Sequence, residues 1–245
     1  MNRFFIPPDA VSGNTVNIPD ETAAQIRKVL RLKEGTMVLF LDDCGFLYES
    51  KIHYINEKQL TAEVIEKRPA EGEPDCRISL YIGLTQREKF EWILQKCTEA
   101  GVSRIIPIIS ERSLVRKASD IAGKTDRWVK ILKEAAEQCG RGRFPELLPA
   151  MSFIQAAETG RNSDLALFCW EEEKQKSLRE LIEPRRETLR DISVMIGPEG
   201  GFSAEEAETA AMNGWNAVTL GKRIYRMETA AVAAVILTLY ETERK

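Results

Sequence analysis

The sequence predicts an α/β protein in which a parallel sheet covered by helices follows a smaller β-rich domain. Three observations carry that prediction. From residue 77 onward, apolar β-branched runs alternate with stretches of helical periodicity, the pattern of a parallel sheet buried on both faces. Before residue 70, three strand-like runs follow one another with only turn residues between them. Between the two lies "RPAEGEPDC" (68–76), polar, acidic and proline-bearing, which reads as a linker. The domains are accordingly expected at 1–70 and 77–245.

In the first domain, Asp20 or Thr22 is expected to cap a helix, since Thr22 and Gln25 have capping-box spacing. Its apolar stripe would be Ala23, Ile26, Val29 and Leu30, with Arg27 and Arg31 one turn apart beside it and Gly35 as the stop. "TMVLFLDD", "FLYESKIHYI" and "QLTAEVIEK" then read as strands, the first pair joined across Asp42-Asp43-Cys44-Gly45. In the second domain "RISLYIGL" is a strand. It is followed by a helix with Phe90, Ile93, Leu94 and Cys97 on one face and Gly101 as its stop. "RIIPII" is a strand, and "RWVKILKEAAEQCG" is a helix facing inward through Trp128, Ile131, Leu132, Ala135 and Cys139. "DLALFCW", "DISVMIG" and "NAVTLG" complete the strands, each with a helix after it.

Composition narrows the function classes. With 43% hydrophobic and 30% charged residues the chain is an ordinary globular protein. It has no run near the ~20 apolar residues that span a bilayer, and its start lacks a signal-peptide core, so a cytoplasmic location and no membrane partner are expected. The five cysteines are scattered without a C-x-x-C pair and the only histidine is His53, so neither a metal site nor a Ser-His-Asp triad is expected. Net charge is −3, but it is unevenly spread. Residues 1–75 carry 9 Lys/Arg against 13 Asp/Glu, yet Arg27, Lys28, Arg31 and Lys33 cluster with no acid between them. Residues 104–143 carry 10 basic and 5 acidic side chains. Two basic patches on an acidic chain can follow a phosphate backbone or simply be solvated faces.

The loop "VMIGPEGGFSAEEAETA" (194–210) ends a strand, leaves Gly197, Gly200 and Gly201 bare, and restarts as a helix whose Ser203 and Glu206 form a capping box. Such glycines admit a positive φ or the close approach of a ligand or a second backbone. The spacing is not that of the dinucleotide fingerprint, and "AGKTD" (122–126) lacks the first glycine of a phosphate loop and reads as a helix-opening turn. "LGKRIYRMETAAVAAVILTLY" (220–240) places Lys222, Arg223 and Arg226 in a short loop between a strand and an almost wholly apolar helix. That helix is expected to cover its own sheet and also meet a second copy of the chain through Val232, Val235 and Leu239.

At this point the chain resembles a known family. "RFFI", "IRKVLRLKEG", "KFEWILQKCTEAG", "ERS", "EAAEQCGR", "IGPEGG" and "LGKRIYRMETA" occur in order across the sequence. Together they are similar to the bacterial ribosomal RNA small subunit methyltransferase E family, uridine-N3 methyltransferases of the SPOUT superfamily. The resemblance implies a PUA-like β-barrel followed by an α/β domain tied in a deep trefoil knot, an exception to unknotted topology. It also implies a homodimer that binds S-adenosylmethionine in the knot and methylates 16S ribosomal RNA within the small subunit or a late precursor. The cofactor pocket would then be lined by Phe168, Cys169 and Trp170, by Gly197, Pro198, Glu199, Gly200 and Gly201, and by Leu220, Gly221, Ile224 and Tyr225. RNA would be held by Arg3, Arg27, Lys28, Arg31, Arg112, Arg116 and Arg141. Two positions depart from the family: Gln25 stands where members often have histidine, and Tyr225 where a leucine is common before the arginine.

On this reading Arg226, and next Arg223, would stabilise charge developing on the uracil oxygens. Glu199 or Glu228 would take the N3 proton unless it leaves through water, and Glu228 also suits a plain helix-start role. The alternatives are a SPOUT methyltransferase acting on tRNA or on ribose 2′-hydroxyls, and a non-catalytic ribosome-assembly factor that binds RNA.

Overall fold

In the computed structural model, which describes residues 1–55, 59–117, 121 and 123–243, strands and helices alternate through the second half of the chain. The strands there are β7 (Arg77–Gly83), β8 (Arg104–Ile109), β9 (Glu146–Leu147), β10 (Met151–Ser152), β11 (Leu165–Cys169), β12 (Asp191–Ile196) and β13 (Asn216–Val218). They pair in the order β10-β8-β7-β12-β11-β13, with β9 also on β8, and every pairing is parallel. Parallel strands need crossovers. These are supplied by α2 (Arg87–Ala100), α3 (Thr125–Cys139), α4 (Phe153–Gly160), α5 (Leu178–Ile182) and α6 (Ala204–Met212). The last helix, α7 (Met227–Thr242), lies against β7, β12, α2 and α5.

The two faces of this sheet are filled differently. One holds Ile78, Leu80, Ile82, Phe90, Ile93, Leu94, Cys97, Leu132, Ala231, Ala234 and Val235, all fully buried. The other is aromatic: Tyr81, Phe153, Phe168, Phe202 and Trp215. Gly101 ends α2 in the left-handed region (φ 105), as its sequence position predicts. On α3 the inward face is Trp128, Leu132, Ala135 and Ala136, while Cys139 is exposed. Helical spacing continues the stripe to Ala136, and Cys139 sits where the helix ends at Gly140 (φ 85).

On α7, two of the three residues expected to meet a second copy point inward. Val235 and Leu239 are 0% and 7% exposed and belong to the chain's own core, and Val232 packs against it. Rotation by about 100° per residue puts Ile236, Leu237 and Tyr240 outside instead, at 49%, 39% and 65% exposure.

The chain divides into two compact units, residues 74–132 with 145–245 and residues 1–73 with 133–144. The latter contains β1 (Arg3–Phe5), β2 (Val11–Ser12), β3 (Thr15–Asn17), β4 (Met37–Leu41), β5 (Phe46–Ile55) and β6 (Leu60–Pro69), in the order β1-β4-β5-β6-β3-β2. Its pairings are antiparallel except β1 with β4. Residues 133–144 are integral to this unit. Ala136 joins Phe5, Leu39, Leu41 and Leu47 in a core cluster with Phe144 against it. Glu137 accepts the Phe5 amide at 2.8 Å, and Glu73 accepts from both Arg141 and the Arg143 amide.

The helix after Pro19 differs from expectation. It begins at Asp20 without a side-chain cap, so Thr22 is buried inside it and forms no capping box. After α1 (Asp20–Ala24) it widens into a π-turn over Gln25–Val29, in which the Leu30 amide bonds the Gln25 carbonyl at 3.0 Å. The extra residue per turn rotates the stripe. Ala23 and Ile26 stay buried, but Val29 and Leu30 are 72% and 37% exposed. Arg31 lies beyond the helix with a left-handed backbone (φ 52), so it does not stand one helical turn from Arg27.

Candidate active site

Three neighbouring strands, β12, β11 and β13, end at one level, and a pocket of about 470 Å³ opens beyond their carboxyl ends. That is where ligands sit in open parallel sheets, and the size suits a small molecule. The wall after β11 is Cys169, Trp170, Glu171 and Lys174, and the wall after β12 is Gly197, Pro198, Glu199, Gly201 and Phe202. After β13 come Thr219 through Arg226, continuing into Met227, Glu228 and Ala230 of α7, with Lys89 of α2 on the rim.

Of the residues singled out from sequence for a cofactor or for chemistry, all but two line this pocket. Phe168 lies beneath it, 1% exposed, stacked 4.5 Å from Phe202. Gly200 faces away from it, toward Arg112.

Each glycine of the 197–201 loop has its own neighbour. A Cβ at Gly197 would stand 3.1 Å from the Phe202 ring, and one at Gly200 would stand 3.0 Å from the Arg112 Cβ. Gly201 has φ 69 and faces Glu171, and its amide closes a turn onto the Pro198 carbonyl at 2.9 Å. The loop also touches the end of β7, because a Cβ at Gly83 would fall 2.5 Å from the Pro198 nitrogen. The bare backbone thus lets the loop lie against its protein neighbours as well as line a pocket.

Glu199 is held from two sides. The Thr85 hydroxyl and the Lys89 ammonium, the latter at 3.1 Å, both donate to its Oε1. Burial pushes its carboxyl up, but these donors and a backbone amide outweigh burial and hold it below the usual carboxylate range. A carboxylate so held is a weak proton acceptor. Thr85 and Lys89 were not legible as site residues, since nothing in "GLTQREKF" (83–90) marks them apart from an ordinary helix start.

Two polar atoms of residues lining the pocket, the donor Trp170 Nε1 and the acceptor Glu228 Oε2, are buried and unpartnered. Such atoms cost free energy unless a partner arrives. Arg223 donates to the Tyr225 hydroxyl at 3.2 Å and lies 5.9 Å from that ring, so the unusual aromatic orients a neighbouring cation. Arg226 makes no side-chain hydrogen bond or ion pair among the described residues. Burial pushes the Cys169 thiol up to about 12, which keeps it protonated and unreactive despite its place on the wall.

The basic residues fall elsewhere. Lys28, Arg31, Arg116 and Lys117 are exposed. Arg3 donates to the Gln138 carbonyl at 3.2 Å. Arg141 is 3% exposed and paired with Glu73 at 3.0 Å, so it acts as a tie within its unit and presents no surface to RNA.

A parallel α/β domain with a pocket at its strand ends is built to bind a small ligand, and residues 72–239 match the family model of the RNA methyltransferase domain. The chain is 30% identical to ribosomal RNA small subunit methyltransferase E of Bacillus subtilis, over 99% of this chain and 98% of that one. It is 32% identical to the Mesomycoplasma hyopneumoniae protein of the same name, over 95% and 96%. Among solved structures it resembles ribosomal RNA small subunit methyltransferase E from Neisseria gonorrhoeae bound to S-adenosyl methionine, at TM-score 0.86 and 31% identity, covering 98% and 97%. The chain belongs to the ribosomal RNA small subunit methyltransferase E family.

Proposed function

We propose that this protein transfers the methyl group of S-adenosylmethionine to N3 of a uridine in 16S ribosomal RNA of the small subunit. The observation that carries the reading is one pocket at the strand ends, in which a glycine loop, a cationic loop and two unpartnered buried polar atoms converge. The Trp170 N–H fits an acceptor on the cofactor, and the apolar walls at Ile196, Val218, Leu220 and Ile224 fit its adenosine part. When bound, that cofactor supplies an electrophilic methyl on a sulfonium.

The chain's own residues must manage the rest. Losing the N3 proton leaves negative charge on the uracil oxygens O2 and O4. Arg226, with no competing side-chain partner among the described residues, is the donor for one of them, and Arg223, oriented by Tyr225, is the second. Neither guanidinium can be the base. Between the two carboxylates Glu228 is the better acceptor, because its Oε2 is buried and unpartnered while both donors of Glu199 are already in place.

The same reading takes the 77–245 region as a SPOUT domain with a trefoil knot and the 1–70 region as a PUA-like barrel, in a cytoplasmic protein. No helix among the described residues is long and apolar enough to cross a membrane. Mass spectrometry of ribosomal RNA nucleosides from cells lacking the protein tests enzyme and base together. Loss of N3-methyluridine from the small subunit is expected, and its persistence would overturn the proposal.

The reading also makes the protein a homodimer, with the outer face of α7 at Ile236, Leu237 and Tyr240 as part of the interface. Sedimentation should give a dimer at micromolar concentration, and Tyr240→Asp should shift it toward monomer. A wild-type monomer would remove the claim.

RNA is held by exposed cations, with Lys28 and Arg31 in one unit and Arg116 and Lys117 in the other. Arg31→Ala or Arg116→Ala should lower the salt slope of log K by roughly 0.7–0.9 per lost phosphate contact and leave cofactor affinity unchanged. An unchanged slope would take that residue off the RNA.

A further inference from the structure

Arg112 sits in a basic stretch, and its charge invites a phosphate, but its surroundings give it a different task. The turn that presents it is closed by two buried serines. Ser113 donates its amide to the Ser110 carbonyl at 3.1 Å, the Ser110 amide donates to the Ser113 hydroxyl at 3.0 Å, and the two hydroxyls lie 3.1 Å apart. Ser110 and Ser113 are 6% and 2% exposed. The neighbouring Glu111 amide donates to Glu206 Oε1 at 2.9 Å, while the other oxygen of Glu206 takes the Ser203 amide at 3.0 Å. Glu206 therefore joins the 110–113 turn to the helix start that follows the glycine loop.

From that fixed turn the guanidinium crosses to the glycine loop itself. Arg112 Nη1 lies 3.1 Å from the Gly200 carbonyl and 3.4 Å from the Phe202 carbonyl. Its Cβ and Cδ lie against Gly200 so closely that a Cβ there would sit 3.0 Å and 3.6 Å from them. Three kinds of contact, from guanidinium, side-chain stem and neighbouring amide, converge on residues 200–206. Arg112 is exposed, as Arg116 and Lys117 are, but an arginine that only meets a phosphate needs none of these contacts.

We propose that Arg112 is a positioning residue of the pocket, holding the 197–202 loop in shape through the Gly200 and Phe202 carbonyls, and is not a phosphate contact. One cation bridges two carbonyls of the loop, and charged donors make the stronger class of hydrogen bond. Lysine keeps the charge but offers a compact ammonium on a flexible stem in place of a planar fork, so it does not restore the bridge. On the opposite flank Glu199 is tied to Thr85 and Lys89, which leaves Arg112 as the holder on its own side.

The test compares Arg112→Ala, Arg112→Lys and Glu206→Gln with the wild type. Hydrogen exchange of the 197–203 segment is read without ligand, so it does not depend on what the pocket binds. Arg112→Ala should speed that exchange about tenfold, Arg112→Lys should do nearly the same, and the rest of the sheet should remain protected. Glutamine keeps the helix cap but has one carbonyl oxygen for two amides, so Glu206→Gln should give a smaller change of the same kind without altering any cation.

The effect on cofactor rests on the methyltransferase reading. S-adenosylmethionine should bind Arg112→Ala about tenfold more weakly, while the salt slope of RNA binding stays at the wild-type value. Faster exchange in a protein whose wild type binds no S-adenosylmethionine would uphold the positioning role and sink the cofactor reading. Unchanged exchange, or a lower salt slope rescued by Arg112→Lys, would overturn the positioning role.

Discussion

Arg226→Ala is expected to slow methyl transfer about a hundredfold or more in single-turnover reactions at saturating RNA, with little change in RNA affinity. Arg226 is the residue at which the cationic loop becomes α7. Its backbone is extended (φ −64, ψ 153), and its carbonyl accepts the first helical bond, from the Ala230 amide at 2.8 Å. The direction in which its side chain leaves is therefore set by a helix that is buried on its inner face. A donor aimed at charge that exists only in the transition state is worth about 3–4 kcal/mol, and removing it affects rate rather than binding. Arg226→Lys should recover part of the rate, because a charge remains but the fork is gone. Arg31→Ala provides the contrast, with weaker RNA binding and unchanged chemistry at saturation. If both variants lost RNA affinity equally and neither slowed the chemical step, the division of labour between them would be wrong.

The second large effect is expected at Gly201. With φ 69, this residue occupies backbone space that a β-branched side chain enters only under strain, and its Cβ position lies 3.1 Å from Glu171 Oε1. Gly201→Val should break the Pro198–Gly201 turn and push the loop into the pocket, abolishing S-adenosylmethionine binding in calorimetry. Gly201 is half-buried and carries no side chain into the core, so thermal unfolding should remain cooperative. Gly197→Val should lose binding too, with a larger cost to stability, because its side chain would meet the Phe202 ring, itself packed against Phe168 and Phe153. A folded Gly201→Val protein with unchanged affinity would move the ligand elsewhere.

Period and punctuation made most of the second unit legible. Its long strands, the inner face of α2 and the Ser203–Glu206 capping box all follow from local rules, and the pocket follows from where a parallel sheet keeps its loops. What escaped was non-local or irregular. Strands β1, β2, β3, β9 and β10 have two or three residues each, too short to show a period. The π-turn at Gln25–Val29 changes the number of residues per turn, so a stripe counted at 3.6 misplaces Val29 and Leu30. Charge alone says least about a side chain's surroundings. Arg112 and Arg141 look alike in sequence to Arg116, yet one grips a loop and the other is buried on Glu73. The same holds for the carboxylates, because no spacing reveals that Glu199 has two donors while Glu228 keeps an open oxygen.

The unit that begins at Met1 is discontinuous in sequence, and this bears on how the chain can be made and cut. Its missing piece, residues 133–144, brings Ala136 and Phe144 to a core cluster and Arg141 to Glu73. A nascent chain leaves the ribosome amino end first, so residues 1–73 emerge with an apolar face at Phe5, Leu39 and Leu41 that nothing yet covers. That face must wait while residues 74–132 are synthesised, and completion of the first unit is thereby tied to translation well into the second. Expressing residues 1–73 alone would deliver a fragment with its main core complete but its second cluster open, so a transplantable cassette needs residues 133–144 as well.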